Sequence, residues 1–110
     1  IKALHNDARG LITAGCLAEM GFNLFNFGFE HGLGEIRRLA GEPVVLLGNL
    51  PPRDVLAAGT PDQVRRETRA MVESVENKRR ILFSCGGGMP PNVSTENIEA
   101  FCQAVRQPAR

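Results

Sequence analysis

The feature that most constrains the fold is a pattern that occurs four times along the 110 residues. Each unit consists of an apolar run of strand character, a loop rich in glycine or polar residues, and a segment with helical spacing of apolar residues. The predicted strands are Ile1–His5, Phe22–Phe27, Pro43–Leu47 and Ile81–Ser84. The predicted helices are Leu11–Met20, Leu33–Ala40, Pro61 to about Asn77, and Thr95–Val105, with Gly21 and Gly41 closing the first two.

Units of this kind form parallel strands joined by right-handed crossovers. Eight units close a barrel, so four units of about 25 to 30 residues predict an α/β fold, half of a (β/α)8 TIM barrel. A half barrel leaves two parallel edges unpaired, and we expect another half barrel or a second copy to cover them. The alternative is a small flavodoxin-like sheet. Its first loop would carry a phosphate-binding glycine or hydroxyl pattern, which His5-Asn6-Asp7-Ala8 lacks.

Composition limits the class of protein and its partners. The chain has the size of one domain, residues 1–110, and it starts at Ile1, which favours a piece of a longer protein. A net charge of +1 with dispersed Lys and Arg argues against nucleic acid or an anionic membrane as partner. No apolar run reaches about 18 residues and no leader is visible, so we expect neither a transmembrane helix nor a secretory signal. Three cysteines without a CxxC pair favour a reducing, cytoplasmic compartment.

The helices carry their own start signals and apolar stripes. Thr60 is the expected N-cap of the longest helix, Pro61 takes its first position, and Gln63 completes a capping box. The expected core stripe of that helix is Val64, Thr68, Met71, Val72 and Val75, and the last helix is expected to bury Ile98, Phe101, Cys102 and Val105. In the first helix we expect Cys16 and Met20 on the apolar face.

Candidate site residues follow the predicted strands. A barrel of this kind builds its site at the carboxyl ends of its strands, and both histidines of the chain fall there. The catalytic candidates are His5, Asp7 and Asn49, and the substrate-binding candidates are Asn26, Glu30, His31, Cys85, Gly86, Gly87, Gly88 and Met89.

His5 and Asp7 form the most specific pair. Side chains alternate along an extended segment, so these two point the same way, which suits a metal site or an acid/base pair. We predict both as metal ligands. The alternative for His5 is a hydrogen-bonded histidine without a chemical role, and the alternative for Asn49 is a turn residue before Pro51-Pro52.

The loop Gly86-Gly87-Gly88 is a candidate wall of the site. Consecutive glycines allow positive φ and let another body approach the main chain closely. A flexible connector is the alternative interpretation. Cys85 is the one cysteine beside this loop, and a chemical role for it depends on its exposure.

Three stretches resemble the uroporphyrinogen decarboxylase superfamily: GNLPP at 48–52, GTPDQV at 59–64 and SCGGGMPPNVSTENI at 84–98. This superfamily of (β/α)8 barrels includes porphyrinogen decarboxylases and methylcobamide:thiol methyltransferases. The order of the stretches resembles that of its C-terminal half. The decarboxylases carry a functional histidine in the final loop, and the alignment places Gly87 there. The thiol methyltransferases hold zinc with H-x-C and a G-C-G loop; here His5 matches the histidine, Asp7 stands at the first cysteine and Gly87 at the second.

The resemblance implies an enzyme, and we expect the methyltransferase-like branch. Its cofactors would be zinc or a harder metal on His5 and Asp7, and a corrinoid that carries the methyl group on a partner protein. The alternatives are a decarboxylase of a porphyrinogen-like tetrapyrrole, which needs no cofactor, and a non-catalytic barrel kept as a binding module. The expected partners are a small-molecule substrate, the corrinoid protein, and the N-terminal half of the barrel or a second copy.

Overall fold

The structure, a computed structural model, describes residues 1–7 and 11–107. The strands are β1 (Ala3–Asn6), β2 (Leu24–Phe27), β3 (Val45–Leu50) and β4 (Ile81–Cys85). The helices are α1 (Leu11–Cys16), α2 (Leu33–Ala40), α3 (Pro61–Glu73) and α4 (Thr95–Arg106), and a π-helical segment, Pro52–Ala57, follows β3. Ala8 of the predicted motif lies outside the described residues. No helix in the described part of the chain is both long and apolar enough to cross a membrane.

The four strands form one parallel sheet in the order β1-β2-β3-β4. A flavodoxin-like sheet would place its second strand outside the first, so the sequential order excludes that alternative. Parallel strands in sequence order with helices between them are the arrangement of a partial (β/α)8 barrel. The predicted fold class is confirmed.

The two faces of the sheet differ in cover. Phe25 and Leu46 are register partners on the face that the helices cover, and they are 2% and 0% exposed. On the opposite face, His5, Asn26, Leu47 and Leu82 form one row across the four strands, and each is half-buried or exposed. A barrel strand has one face toward the helices and one toward the interior, so this row lies on the face that would line the barrel.

Several local predictions hold. Thr60 accepts a hydrogen bond from the backbone N–H of Gln63 and Gln63 returns one to Thr60, so the capping box is present. The predicted stripe of α3 is buried throughout. Gly41 ends α2 at a φ of 77°, and Gly21 has a φ of 81° in the turn that follows α1, a conformation that glycine adopts without strain.

Four predictions about the elements are wrong. α3 ends at Glu73, about four residues before the predicted end near Asn77. β3 continues to Leu50, because Asn49 and Leu50 pair with Ser84 and Cys85 of β4. α1 ends at Cys16, and Met20, expected in the core, is 56% exposed.

The buried face of α4 also differs from the expected one. Ile98 is 37% exposed, whereas Asn97, Ala100 and Ala104 are buried. Asn97 donates from its amide nitrogen to the carbonyl oxygens of Leu56 and Gly59, which turns this side of α4 inward. A polar residue with two buried acceptors therefore sets the rotation of the helix.

Candidate functional site

The candidate site starts from a hydrogen-bonded row across β1, β2 and β3. Nδ1 of His5 lies 2.6 Å from Oδ1 of Asn26, and Nδ2 of Asn26 donates to the carbonyl oxygen of Leu47 at 2.7 Å. The three residues are register partners, so adjacent strands bring them within reach. Because a carbonyl oxygen only accepts, the amide nitrogen of Asn26 faces Leu47 and its oxygen faces His5. Nδ1 of His5 therefore carries the hydrogen of this contact.

The other ring nitrogen of His5 faces Asp7. Nε2 lies 3.1 Å from Oδ2 of Asp7, and both side chains are more than half exposed. With the hydrogen on Nδ1, Nε2 of a neutral imidazole is an acceptor, and so is the carboxylate. Two acceptors at this distance need a proton or a cation between them. The predicted convergence of His5 and Asp7 is present in the structure.

The glycine loop lies against the same carboxylate. Gly87 has a φ of +75°, and a Cβ atom there would lie 3.0 Å from Oδ1 of Asp7. A Cβ atom at Gly86 would meet the backbone of Gly28 at 3.1 Å, and the Gly86 N–H donates to the carbonyl oxygen of Leu50. Gly88 has open space around it. Two of the three glycines are thus needed for close approach, which disfavours the interpretation as a flexible connector.

Cys85 and Met89, on either side of this loop, have different surroundings. Cys85 is 8% exposed, belongs to the hydrophobic core, and its thiol donates to the carbonyl oxygen of Gly87 at 3.5 Å. Met89 is 58% exposed. The structure therefore places Cys85 beneath the loop, while the Met89 side chain is available at the surface.

Asn49 has a structural role in the loop that follows β2. It is 7% exposed, and its amide nitrogen donates to the carbonyl oxygens of Gly28 and His31, at 3.2 and 2.7 Å. Its backbone N–H donates to the sulfur of Met71. Asn49 therefore fixes the loop that carries His31. It is neither the turn residue of the alternative interpretation nor free to donate both amide hydrogens to a substrate.

Glu30 and His31 lie near Asp7 at a small cavity. A pocket of about 20 Å³ is lined by residues that include Asp7, Gly28, Glu30 and His31. Nδ1 of His31 lies 3.9 Å from a carboxylate oxygen of Glu35, one helical turn away. The structure thus brings both predicted residues to the edge of the site, with His31 turned in part toward α2.

Two larger cavities lie elsewhere. One of about 230 Å³ lies between the loop after β2, the end of β3 and α3, where Phe29, 49% exposed, is on its wall. The other, of about 380 Å³, lies near the start of β4, and Arg37, Arg38, Arg79 and Arg80 line it. It is remote from the strand ends that carry His5 and Asp7. Arg37 on its wall has a structural role, because its guanidinium donates to the carbonyl oxygens of Gly41, Val44 and Arg80.

Two contributions to the site could not be read from the sequence. The carbonyl oxygen of Leu47 belongs to an apolar residue, and sequence patterns give no signal for it. Gly28 packs against the backbone of Asp7 and against Gly86, and its only signal was a glycine at the end of a strand.

Comparison with known proteins decides the family. The sequence profile described as Uroporphyrinogen decarboxylase (URO-D) matches residues 2–108. The chain belongs to the uroporphyrinogen decarboxylase family. The uroporphyrinogen decarboxylase of Dichelobacter nodosus is 32% identical over 75 residues, which cover 68% of this chain and 21% of that protein. That of Pseudomonas putida is 30% identical over 91 residues, which cover 83% of this chain and 25% of that protein. The chain therefore spans about a quarter or less of the length of these relatives.

A solved structure supports the fold of this uroporphyrinogen decarboxylase family chain. A methyltransferase from Methanosarcina mazei superposes with a TM-score of 0.82 at 20% identity, over 96% of this chain and 30% of that one. At this identity the match shows the fold. The chain is therefore a partial barrel, and His5 and Asn26 lie on the face that such a barrel encloses.

Proposed function

We propose that the protein carrying this chain transfers a methyl group between a small methylated compound or thiol and a corrinoid held by a partner protein. In this proposal His5 and Asp7 hold zinc or another divalent cation. The observation that carries it is the convergence of two metal-binding groups, Nε2 of His5 and Oδ2 of Asp7, which lie 3.1 Å apart. Gly87 supports it, because the loop leaves the Asp7 carboxylate uncovered.

The donor set fits a metal ion. Zinc takes imidazole nitrogen and carboxylate oxygen ligands at about 2.0 to 2.2 Å, so two ligands of one tetrahedral ion lie about 3.3 to 3.6 Å apart. Nε2 of His5 and Oδ2 of Asp7 are 3.1 Å apart, so a small outward movement of either side chain lets both bind one ion. Within residues 1–7 and 11–107, no third His, Cys, Asp or Glu side chain completes the set. The remaining ligands would come from substrate, water or another part of the protein.

Each residue has a task in this chemistry. A bound cation would supply a Lewis acid that favours the deprotonated form of a thiol. His5 and Asp7 would hold it at the end of β1, and Asn26 orients His5. Gly86 and Gly87 keep the loop free of side chains, so a bulky corrinoid can approach the site.

The reaction in the thiol direction moves the methyl group without its bonding electrons. The sulfur–carbon bond forms as the cobalt–carbon bond of the methylated corrinoid breaks. The electron pair of the broken bond stays on cobalt, and the thiol proton is released. No external oxidant or reductant is consumed.

Decarboxylation of a porphyrinogen is the second candidate, and the names of the curated relatives favour it. In that reaction Asp7 would accept hydrogen bonds from pyrrole N–H groups, and no metal would be needed. Gly87 departs from both enzyme patterns, since the resemblance places at this position the functional histidine of the decarboxylases and the second zinc cysteine of the thiol methyltransferases. A non-catalytic binding module is the third candidate. The reason to consider it is that Gly87 has no side chain at the position where the enzymes carry a functional residue.

An activity comparison tests the proposal in a protein that carries this chain within a complete barrel. We expect methylcobalamin with a simple thiol such as 2-mercaptoethanol to lose its methyl–cobalt absorbance, and uroporphyrinogen to release no CO2. His5→Ala should abolish methyl transfer, whereas the control variant Asn23→Ala, at a residue that accepts from the backbone N–H of Lys2, should retain it. Release of CO2 from uroporphyrinogen without methyl transfer would contradict the proposal and establish the decarboxylase.

A further inference from the structure

Asn26 is the residue that decides which nitrogen of His5 faces Asp7. We infer that Asn26 is a positioning residue: it fixes the Nδ1–H tautomer of His5 and so presents the Nε2 lone pair to the site. The tautomer follows from the geometry alone, and only its consequence for a cation rests on the proposed function. The sequence had suggested Asn26 as a substrate-binding residue.

The direction of the hydrogen bonds is set at Leu47. The carbonyl oxygen of Leu47, 2.7 Å from Nδ2 of Asn26, can only accept. Turning the amide over would place its oxygen against this carbonyl and leave two acceptors in contact. Nδ2 therefore stays on the Leu47 side, and Oδ1 stays 2.6 Å from Nδ1 of His5. Since Oδ1 only accepts, Nδ1 must donate.

The tautomer determines what the His5–Asp7 pair can do. With the hydrogen on Nε2, His5 would donate directly to Oδ2 of Asp7 at 3.1 Å, and the pair would satisfy itself. With the hydrogen on Nδ1 of a neutral ring, Nε2 and Oδ2 are both acceptors, and either a cation or a second proton on the ring can lie between them. Asn26 therefore keeps the Nε2 lone pair of His5 available for a ligand, because it holds the ring hydrogen on Nδ1. Metal-binding histidines commonly donate their second ring N–H to such an orienting acceptor.

Three variants separate positioning from folding. Asn26→Leu has a similar size but offers no acceptor to Nδ1. Asn26→Asp keeps an acceptor for Nδ1 but loses the donor to Leu47, so it separates the contact with His5 from the contact with Leu47. Asn23→Ala is the matched control, because Asn23 lies just before the same strand and accepts from the backbone N–H of Lys2, away from the site. Thermal unfolding establishes that each variant is folded.

The tautomer is measured by the 15N shifts of histidine ring nitrogens in the metal-free complete protein, at a pH where the ring is neutral. The His5 signals are assigned by their absence in His5→Ala. We expect a protonated Nδ1 in wild type, Asn26→Asp and Asn23→Ala, and a shift of the hydrogen toward Nε2 in Asn26→Leu. A retained Nδ1–H tautomer in Asn26→Leu would overturn the inference. If that variant does not fold, wild-type protein whose His5 ring carries the hydrogen on Nε2 would overturn it equally.

Zinc titration of the same proteins measures the consequence. We expect Asn26→Leu to bind zinc about 10- to 100-fold more weakly than wild type, and Asn23→Ala to bind as wild type does. An equal affinity of Asn26→Leu and wild type would overturn the role of Asn26 in cation binding. Absence of zinc binding in wild type would contradict the proposed function, while the ring shifts would still decide whether Asn26 sets the tautomer.

Discussion

Gly87 lies directly against Asp7: a Cβ atom built on the glycine would be 3.0 Å from Oδ1 and 3.4 Å from Oδ2 of the carboxylate. The loop after β4 and the end of β1 therefore form one surface, although 80 positions separate the two residues in the numbering of the chain. This contact makes the glycine loop the place where a side chain would act on the His5–Asp7 pair.

A cysteine at this position should create a third ligand. We expect Gly87→Cys to bind zinc more tightly than wild type, because a thiolate beside Asp7 is a favoured zinc ligand. The new cysteine must adopt the positive φ of Gly87, and this strain should lower the unfolding free energy by about 1 kcal/mol. Zinc titration and chemical denaturation of the complete protein measure the two effects.

Gly88→Cys is the matched control for this prediction. It adds the same thiol to the same loop at a position with open space and no positive φ. We expect neither the gain in affinity nor the cost in stability. Unchanged zinc affinity in folded Gly87→Cys would show that the loop does not present a ligand to His5 and Asp7.

Asn49→Ala should destabilise the fold. The change leaves the carbonyl oxygens of Gly28 and His31 without their donor, so we expect a loss of about 1 to 3 kcal/mol in unfolding free energy. Urea denaturation measures it. Asn49→Ala with wild-type stability and a specific loss of turnover would instead support the catalytic role that the sequence suggested.

The open face of the sheet should drive association of the isolated chain. Leu82 is 52% exposed on β4, which is an edge strand and has no partner on its far side in the described sheet. We expect residues 1–110 alone to self-associate in sedimentation experiments, and Leu82→Lys to weaken that association. Ile98→Lys, on the exposed side of α4, is the control and should leave it unchanged. A cooperatively unfolding monomer would argue against the need for a covering partner.

Arg37 holds together the segment that leads into β3 and the start of β4. Burial lowers the pKa of its guanidinium, while Glu42 opposes this effect, and three backbone carbonyls accept from it. The single ammonium group of lysine cannot reproduce the geometry of the two guanidinium nitrogens that reach these three carbonyls. We therefore expect Arg37→Lys to lower the unfolding free energy by about 1 to 3 kcal/mol. Arg38→Lys, one position along on an exposed part of α2, should change it little. Equal effects of the two variants would refute the anchoring role.

The sequence predicted those parts of the fold that depend on local patterns. Thr60 and Gln63 carry a capping signal in their spacing, and Gly41 marks a helix end, so both could be identified without contacts. The rotation of α4 could not be predicted, because it depends on Asn97 meeting carbonyls of Leu56 and Gly59 some 40 positions earlier.

The candidate site, like the fold, could be predicted from the sequence only in part. The alternation of side chains along β1 predicted that His5 and Asp7 would converge. The role of Asn26 was beyond the sequence, because it depends on a backbone carbonyl of β3 that orients the amide. The structural contacts of Asn49 were beyond the sequence for the same reason, since its two acceptors are backbone atoms in the loop after β2.

Divalent-cation binding by His5 and Asp7 can be measured directly as the metal content of the purified protein. The protein with a complete barrel, purified without chelator, should contain about one zinc or other divalent ion per chain. His5→Ala should lose most of it, and His31→Ala should retain it. Wild-type protein that contains no divalent metal and takes up none on dialysis against zinc would contradict the account.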